Sequence, residues 1–319
     1  MFMSWKSILK WLIGIGIFIF FLWRISTPQL WKLFIHCNFI YFFLAFLLLN
    51  VTVWMTTKRW QYLLSPFMNI QFIFLLATSY IACFVNGFLP TWLGGDVVKA
   101  FLVYKKVPKS LEIISSVLMD RIVGFTTISV VAVFSLPFIK ENRDFKLGLS
   151  IFTVIIVIIF LGLWMVPTKL PLLKRFKKVR DCFLLYNRHS RLVWEVIGIS
   201  LLNYFIYVIT IYMLTQALWL NISFWYLFIY LPVILLITSL PLSPNAIGIR
   251  EGAFIYFLSR QGNTPEQAFA LSLLTFALGM FLSFAGGIIY FFFNPTNFTI
   301  SQIKEGIKND QYSGDFSHC

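Results

Sequence analysis

The sequence predicts an all-α, polytopic (multi-pass) membrane protein, and three observations lead to this fold class. Hydrophobic residues make up 59% of the 319 residues and charged residues only 12%, whereas a soluble domain has about 45–50% and about 25%. The mean hydropathy is +0.83. The apolar residues also fall into about eight long runs separated by short polar loops, which is the pattern of helices that cross a bilayer.

These apolar runs give the predicted elements in chain order. A helix needs about 20 apolar residues to span the bilayer core, and runs of this kind occur at 8–23, 39–56, 70–88, 113–138, 147–166, 193–217, 224–240 and 269–293. No small-residue cleavage site follows the first run, so we expect a retained span and not a signal peptide. Two shorter apolar pieces, 97–104 and 246–258, cannot span alone.

The domain organisation follows from the same runs. Residues 1–293 are expected to form a single transmembrane domain, followed by a polar C-terminal tail at 294–319, with no soluble domain attached. Four scattered cysteines without a CxxC pair, and histidines confined to loops and the tail, predict no metal site, disulfide or cofactor. The net charge of +14 has no soluble basic domain to carry it, so we expect no nucleic-acid partner.

The distribution of lysine and arginine predicts the orientation. Loop 167–192 holds eight of them and loop 213–223 holds none, so the first is predicted to be cytoplasmic. Apolar residues recur among these cations, so the loop is either a simple topology signal or an amphipathic helix on anionic headgroups. If all eight runs spanned from a cytoplasmic N-terminus, however, the basic loop would lie outside.

Two topologies resolve this conflict. Either the N-terminus lies outside, or residues 70–104 form a re-entrant hairpin that returns to its own side. The hairpin topology places 17 cations inside, Arg59 among them, and six outside. It also makes 224–258 a second hairpin, entered from the opposite face. We favour the hairpins, and the simpler topology with an outside N-terminus stays open.

A passage that occurs twice in altered form supports this topology. Residues 89–99 and 240–252 each end an apolar run with proline, pass through glycine, and place an acid beside a base. The helix breaks are predicted at Pro90, Pro241 and Pro244, because proline cannot continue a helix. The repeat-like halves would be 70–138 and 224–293, inserted with opposite sense, as in transporters built from inverted repeats.

The first copy of the passage has the chemistry of an anion site. Gly94 and Gly95 would open a helix whose first amides carry a partial positive charge, which suits a phosphate. Lys99 follows one turn later and could bind the same group. Asp96 would stabilise the helix or hold Lys99 in place, and the alternative is that Asp96 and Lys99 form a structural pair that neutralises itself.

Further charges lie within apolar segments, where an unpaired charge is costly. Asp120 and Arg121 are adjacent in one span, and Arg250 and Glu251 are adjacent in the second copy of the passage. Because neighbours on a helix face different directions, we expect each to find its partner elsewhere, by cross-pairing in the interior. The network is either structural or part of a substrate or proton pathway. The candidate binding residues are therefore Gly94, Gly95, Asp96, Lys99, Asp120, Arg121, Gly248, Arg250 and Glu251.

These motifs together resemble the lysylphosphatidylglycerol synthase transmembrane region, a flippase-like family of integral membrane proteins, over about residues 8–293. The resemblance implies a bacterial or archaeal cytoplasmic (inner) membrane protein that transports a lipid with an anionic or modified headgroup, alongside a separate lipid-modifying enzyme. Lysyl transfer is not expected, because the soluble catalytic domain of such synthases is missing. The alternatives are a membrane enzyme or accessory subunit of lipid-linked glycosyl transfer, and a scaffold.

The sequence departs from the family pattern at three places. Lysine stands at position 99, where the family usually has arginine, and a lysine gives up bidentate phosphate binding for a point charge. Asn245-Ala246 replaces glycines that are common before Gly248, which we expect to stiffen that turn. No arginine occurs near Thr275-Phe276 in the last span. These departures leave the identity of the lipid open.

Overall fold

The computed structural model describes residues 27–88, 94–139, 190–240 and 243–293, with isolated positions between 16 and 25 and between 147 and 155. Across these residues the regular secondary structure is helical and contains no strand, which confirms the predicted fold class. Several predicted features lie wholly or largely outside the described residues: runs 8–23 and 147–166, loop 167–192, tail 294–319, Pro90 and Pro241. The boundary between membrane domain and tail therefore stays a prediction.

The described residues form nine α-helices and two 3₁₀ turns. The helices are α1 (Thr27–Ile35), α2 (Phe39–Leu64), α3 (Phe72–Phe88), α4 (Gly94–Lys106), α5 (Ser110–Ser135), α6 (Ser190–Ala217), α7 (Phe224–Thr238), α8 (Ile249–Ser259) and α9 (Pro265–Phe293). The 3₁₀ turns are Leu136–Phe138, which extends α5, and Pro244–Ala246, which lies between α7 and α8. Each described apolar run of the sequence thus became a helix, and both short apolar pieces became the shorter helices α4 and α8.

Four of these helices are long and apolar enough to cross a membrane. They comprise Phe39–Leu64, Leu111–Phe138, Leu192–Ala217 and Pro265–Phe292. Large apolar side chains such as Phe134, Trp194 and Phe292 are exposed on the outside, while Lys99 and Glu251 are buried inside. Apolar side chains thus face outward and charged side chains inward, the reverse of a soluble protein. This distribution is expected for a protein surrounded by lipid.

Helices α3 and α4 form an antiparallel hairpin. At its tip, the Gly95 amide donates to Asn86 Oδ1 at 2.6 Å. At its base, one cluster joins the end of α2, both ends of the hairpin and the start of α5: Leu64, Leu75, Val103 and Ile113. The chain therefore leaves the hairpin at the end of the bundle where it entered. With 17 residues, α3 is about 25 Å long, shorter than the roughly 30 Å bilayer core.

Helices α7 and α8 form a second antiparallel hairpin at the other end of the bundle. The Tyr226 hydroxyl, near the start of α7, donates to Phe257 O near the end of α8 at 2.5 Å. The base of this hairpin packs with the end of α6, and α6 runs antiparallel to α2, since the Asn38 amide donates to Ala217 O at 2.8 Å. The two hairpins therefore enter the bundle from opposite ends, which is the geometry of the predicted re-entrant pair.

The helix contacts follow a two-fold pattern. If α2–α5 are exchanged with α6–α9 in order, α2 packed on α3 becomes α6 packed on α7, and α3 on α9 becomes α7 on α5. Every substantial contact among these eight helices has its counterpart in this way, and the α2–α6 contact maps onto itself. The structural repeat is thus larger than the predicted halves, because each unit includes the long helix before its hairpin.

Small residues let α3 and α9 approach closely. A Cβ at Gly286 would collide with the carbonyl of Tyr80, and one at Gly87 would lie 2.7 Å from Ser283 Oγ. The Ser283 hydroxyl bridges the helices by donating to Cys83 O at 3.1 Å. Small residues and hydroxyls at a helix interface are typical of packing in membranes, where burial of apolar surface gives no net attraction between helices.

The turn between α7 and α8 has an unusual backbone. Asn245, Ala246 and Gly248 have φ values of 49°, 55° and 83°, all in the left-handed region. That conformation suits glycine and costs other residues about 1–2 kcal/mol. Pro244, a predicted helix break, begins the 3₁₀ turn here. Asn245-Ala246 thus stands where the local backbone favours the glycines of the family pattern.

Candidate functional site

A cavity of about 460 Å³ lies between the two structural repeats. Helices α2–α5 of the first repeat and α6 and α7 of the second contribute to its wall. The cations and carboxylates among its described lining residues all come from the first repeat: Arg59, Asp96, Lys99, Asp120 and Arg121. The second repeat adds only neutral side chains. Among the predicted residues, therefore, Asp96, Lys99, Asp120 and Arg121 share this cavity.

Asp120 is held by Arg59, a cation that lies beyond the predicted span 39–56. The Arg59 guanidinium donates from Nε to Asp120 Oδ1 at 2.7 Å and from Nη1 to Ser200 Oγ at 3.0 Å. Arg59 and Asp120 are each 8% exposed. The span predicted at 39–56 ended before Arg59, whereas α2 continues past this residue to Leu64. The signal that could have found it is the need of Asp120 for a buried partner.

Asp96 pairs across helices with Arg121. The Arg121 Nε lies 2.5 Å from Asp96 Oδ2, and the side chains of Arg121 and Asp96 are 33% and 15% exposed. This bond joins the first turn of α4 to α5, so the interior cross-pairing predicted for these two residues is present. The adjacent residues Asp120 and Arg121 do find different partners, as their opposite directions on the helix require.

Lys99 is the buried cation that lacks a carboxylate of its own. Its ammonium lies 4.1 Å from the centroid of the Trp60 ring, and the Trp60 Nε1–H donates to Ser116 Oγ at 3.1 Å. No carboxylate oxygen of the described residues lies within 4.0 Å of it. The alternative of a close Asp96–Lys99 pair is therefore not what the structure adopts. Among the described residues that line the cavity there are three cations and two carboxylates, an excess of one positive charge.

The two glycines at the start of α4 have a different role from the predicted one. The Gly95 amide already donates to Asn86 Oδ1, so it is not free for an anion. A Cβ at Gly95 would lie 2.5 Å from Ala82 O, which explains why the position requires glycine. Gly94 begins the helix, and neither glycine lines the cavity. The Gly95 amide therefore does not contribute to an anion site, whereas the cations of the cavity wall could bind an anion.

Arg250 and Glu251 form a separate, closed cluster. Arg250 Nη2 donates to Glu251 Oε1 at 2.6 Å and Nε donates to Ser272 Oγ at 3.1 Å. The Gly248 amide donates to Glu251 Oε2 at 2.6 Å, and Glu251 is fully buried. The expectation that these neighbours pair with charges elsewhere was wrong, because the long guanidinium bends back to the adjacent carboxylate.

The second cluster touches the cavity only indirectly. Neither Arg250, Glu251 nor Gly248 lines it, whereas Tyr207, which does, lies within electrostatic range of Arg250. The tip of the second hairpin reaches the wall through Leu235, Thr238 and Ser239 at the end of α7. The charged residues of the two copies of the repeated passage (89–99 and 240–252) thus do not meet in one polar site, although both hairpins contribute to the same cavity.

The described residues contain no group of three or more His, Cys, Asp or Glu placed to hold a metal ion. Cys37 and Cys83 are free thiols, and only Cys83 lines the cavity. The described part of the chain therefore supplies this cavity with three cations, two carboxylates and neutral hydrogen-bonding groups.

Comparison with known proteins agrees with this architecture. Residues 7–287 match the family described as the Lysylphosphatidylglycerol synthase TM region, a range that contains every residue of the cavity. The UPF0104 membrane protein MJ1078 of Methanocaldococcus jannaschii is 28% identical over 247 residues, which cover 72% of this chain and all of that protein. No solved structure matches significantly. The chain therefore belongs to the Lysylphosphatidylglycerol synthase TM region family.

Proposed function

We propose that the protein is a lipid transporter of the cytoplasmic membrane, and that the phosphate of an anionic headgroup binds in the cavity beside Lys99. The observation that carries this proposal is the uncompensated positive charge. Burying a charge without a partner is expensive, and one anionic group beside Lys99 would balance this charge. A lipid phosphodiester is the most abundant source of such a group within a bilayer.

The position of the cavity supports transport. It lies between two structural repeats whose hairpins enter from opposite ends of the bundle. In transporters built from inverted repeats, the substrate binds between the repeats, and their relative movement exposes the site to each side in turn. A headgroup bound at Lys99 would lie between the two halves, with its ionic contacts in the first. The basic loop 167–192 would then lie on the cytoplasmic side, where a lipid-modifying enzyme could act as a partner.

The state of the two carboxylates favours binding over catalysis. A membrane enzyme of lipid-linked glycosyl transfer would need a carboxylate free to accept a proton or act as a nucleophile. Asp120 is bound by Arg59, and Asp96 by Arg121. Both acids of the cavity thus serve to position cations, which is the role expected at an anion-binding site.

Reconstituted proteoliposomes test the proposal. Acyl-labelled fluorescent phosphatidylglycerol is placed in both leaflets, and dithionite quenching reports how much of it reaches the outside. We expect the wild type to move the lipid faster than empty liposomes. Lys99→Ala should slow it at least about tenfold, since a hydrogen bond to a charged group contributes about 1.5–3 kcal/mol, and Lys99→Arg should retain most of the rate.

Lys106→Ala is the matched control. Lys106 lies on the same helix with its ammonium 4.4 Å from the Phe74 ring centroid, but it is exposed and outside the cavity. This variant should transport normally. Wild-type rates equal to those of empty liposomes, or equal losses at Lys99 and Lys106, would contradict the proposed function.

A further inference from the structure

We infer that residues 233–239, the part of α7 that follows Pro232 and the cap residue after it, form a hinged gate. This gate swings onto α5 and closes the cavity from the side of the second repeat, and the structure shows it open. The inference rests on the proposed function only for what passes the gate. Three observations lead to it: a comparison of the two hairpins, the packing of α7 along its length, and the hydrogen bonds around Pro232.

The first hairpin is closed against the opposite repeat. Near the tip of α3, the Ser283 hydroxyl of α9 donates to Cys83 O at 3.1 Å, and a Cβ at Gly87 would lie 2.7 Å from Ser283 Oγ. Ser283 is buried. The close approach continues along α3 to Tyr80, whose carbonyl would collide with a Cβ at Gly286. At this level α3 and α9 are therefore in direct contact.

The second hairpin is open at the corresponding level. Exchanging the two repeats pairs α9 with α5 and α3 with α7, and residues at equal positions in these helices correspond: Ser283 with Ile128, Cys83 with Leu235, and Gly87 with Ser239. In the first repeat the three residues contact one another. In the second repeat all three counterparts line the cavity and are only half-buried. Two interfaces related by the repeat thus differ, one closed and one open.

Only the far part of α7 is separated from α5. The two helices contact each other, and Leu136 near the end of α5 packs against the apolar core that contains Leu227 and Leu231 of α7. These two leucines are fully buried. Beyond Pro232, in contrast, the cavity lies beside Leu235 and Ser239. Helix α7 therefore has a fixed base and a less tightly packed tip, and Pro232 lies between them.

Pro232 gives α7 a hinge at this boundary. Proline has no amide hydrogen, so it cannot donate to the carbonyl four residues earlier, which belongs to Phe228. The Tyr204 hydroxyl of α6 donates to Phe228 O instead, at 2.7 Å. This carbonyl stays hydrogen-bonded whichever way the tip points, so bending at Pro232 does not expose it. Helix α3, from Phe72 to Phe88, contains no proline, and the hinge is a property of the second hairpin.

The surfaces that would meet on closure are neutral. Residues 233–239 contain no charged side chain, and α5 presents Gly124 and Ile128 to the cavity. The charges of α5 lie one turn or more before Gly124, and both are already bound by partners of the first repeat. Closure therefore removes no additional unpaired charge of its own surfaces from water. A closed state of this kind can be a minor conformer, populated at about 0.1–10%.

Disulfide trapping tests the movement without a transport measurement. The full-length protein, with its four native cysteines replaced by alanine, carries Ile128→Cys and Ser239→Cys, and the loss of free thiols is followed during oxidation. A disulfide requires Cα atoms within about 7 Å, so trapping reports the approach of the two sides of the cavity. We expect most of the protein to be trapped within minutes to hours, a time in the usual range for disulfide formation. Leu235→Cys in place of Ser239→Cys gives a second pair, for the case that the first variant does not fold.

Val130→Cys with Ser239→Cys is the matched control. Val130 is exposed and lies on the other side of α5 from Ile128, because two residues of an α-helix turn by about 200°. This pair should keep its free thiols over the time in which the Ile128 pair loses them. Equal trapping of the two pairs, or no trapping of either cavity pair, would overturn the inference.

Pro232→Ala tests the hinge. The new amide can donate to Phe228 O, so bending must break one hydrogen bond, and trapping should slow about twofold to tenfold. Tyr204→Phe should lower the Tm of the parent protein by several degrees, because Phe228 O loses its donor, but it should hardly change the Tm of Pro232→Ala. Unchanged trapping in Pro232→Ala, or equal Tm losses in the two backgrounds, would contradict bending at this position.

Proteoliposomes separate the gate from the proposed function. The trapped Ile128 pair should lose lipid transport and regain it after reduction, while the Val130 pair transports under both conditions. Transport that persists with the disulfide formed would overturn the gate and leave the transport proposal standing. Trapping that depends on Pro232, in a protein whose wild type moves no lipid, would support the gate and overturn the transport proposal.

Discussion

The Arg59–Asp120 pair is expected to be the strongest electrostatic link in the bundle, and its removal is the sharpest test of the structure. It joins α2 to α5 through a 2.7 Å hydrogen bond, and Ser200 adds α6 through Arg59. Both side chains are about nine-tenths buried. Neutralising either one leaves the other charge in the interior, next to Lys99, without its partner.

The magnitude follows from this burial. Removing one member of a buried ion pair costs about 3–5 kcal/mol, whereas replacing both together is often close to neutral. Asp120→Asn should be the worse single variant, because it leaves Arg59 unpaired beside Lys99, a second cation without a carboxylate of its own. A loss of about 3 kcal/mol corresponds to roughly 6–12 °C in Tm at about 2–4 °C per kcal/mol. Arg59→Gln should lower the Tm by a smaller amount within this range.

A double-mutant cycle provides the assay. Asp120→Asn, Arg59→Gln and the double variant are purified in the same detergent, and unfolding is followed by intrinsic fluorescence on heating. We expect the double variant to lose much less stability than the sum of the two single losses, so that its Tm lies well above the additive value. The reason is that it leaves neither member of the pair behind as an unpaired charge. The coupling should be at least about 2 kcal/mol, within the range for residues in direct contact.

Two results would refute this reasoning. If the losses of the single variants simply added in the double variant, the two side chains would not be paired in the folded protein. If Asp120→Asn had no effect on the Tm, the carboxylate would be solvated, which contradicts an exposure of 8%. Either result would also remove the basis for counting one positive charge in excess in the cavity.

Two further predictions concern the packing of the second repeat. Gly286→Ala should destabilise the fold by about 1–3 kcal/mol through overpacking, because its Cβ collides with the Tyr80 carbonyl. The control Gly279→Ala, on the same helix, meets nothing within 4 Å and should be neutral or stabilising. Equal Tm values for the two variants would show that α3 and α9 do not pack this closely. Glu251→Gln should lower the Tm on the scale of a broken buried pair, about 3–5 kcal/mol, without changing the ratio of bound phosphatidylglycerol to phosphatidylcholine; a changed ratio would place Glu251 in the ligand site.

The pattern of the sequence was sufficient for the architecture. Apolar runs long enough to span became α2, α5, α6 and α9, because in lipid each segment must satisfy its backbone within its own helix. The count of cations, together with proline and glycine after runs 70–88 and 224–240, favoured the opposed hairpins over the topology with an outside N-terminus. These features depend on length, local composition and charge, all of which can be read along the chain without knowledge of tertiary contacts.

The site could be predicted only in part, because its pairings are long-range. Asp120 was correctly placed as a buried charge in need of a partner, but Arg59 lies 61 residues away in sequence. The polar residues Thr56, Thr57 and Lys58 before it resemble the end of a helix. The use of the Gly95 amide by Asn86 and the bend of Arg250 back to its neighbour depend on side-chain geometry, which composition does not encode.

The two repeats show why the site is asymmetric although the helix arrangement is not. Asp96 and Glu251 both occupy the third residue of their helices, α4 and α8. In the first repeat the acid binds Arg121, the twelfth residue of α5, whereas the twelfth residue of α9 is Phe276, and Arg250 supplies the cation locally. The sixth residue of the short helix differs as well.

At this sixth position the first repeat has Lys99 and the second has Phe254, which is 2% exposed and part of the largest apolar core. In the second repeat the Phe254 ring thus occupies the position that corresponds to the excess cation Lys99 of the first repeat. The acid of the second repeat, Glu251, is fully hydrogen-bonded within its own cluster. A ligand anion can therefore be stabilised in only one repeat. The second repeat contributes neutral side chains to the wall. This explains why α6 and α7 line the same cavity without adding a charge to it.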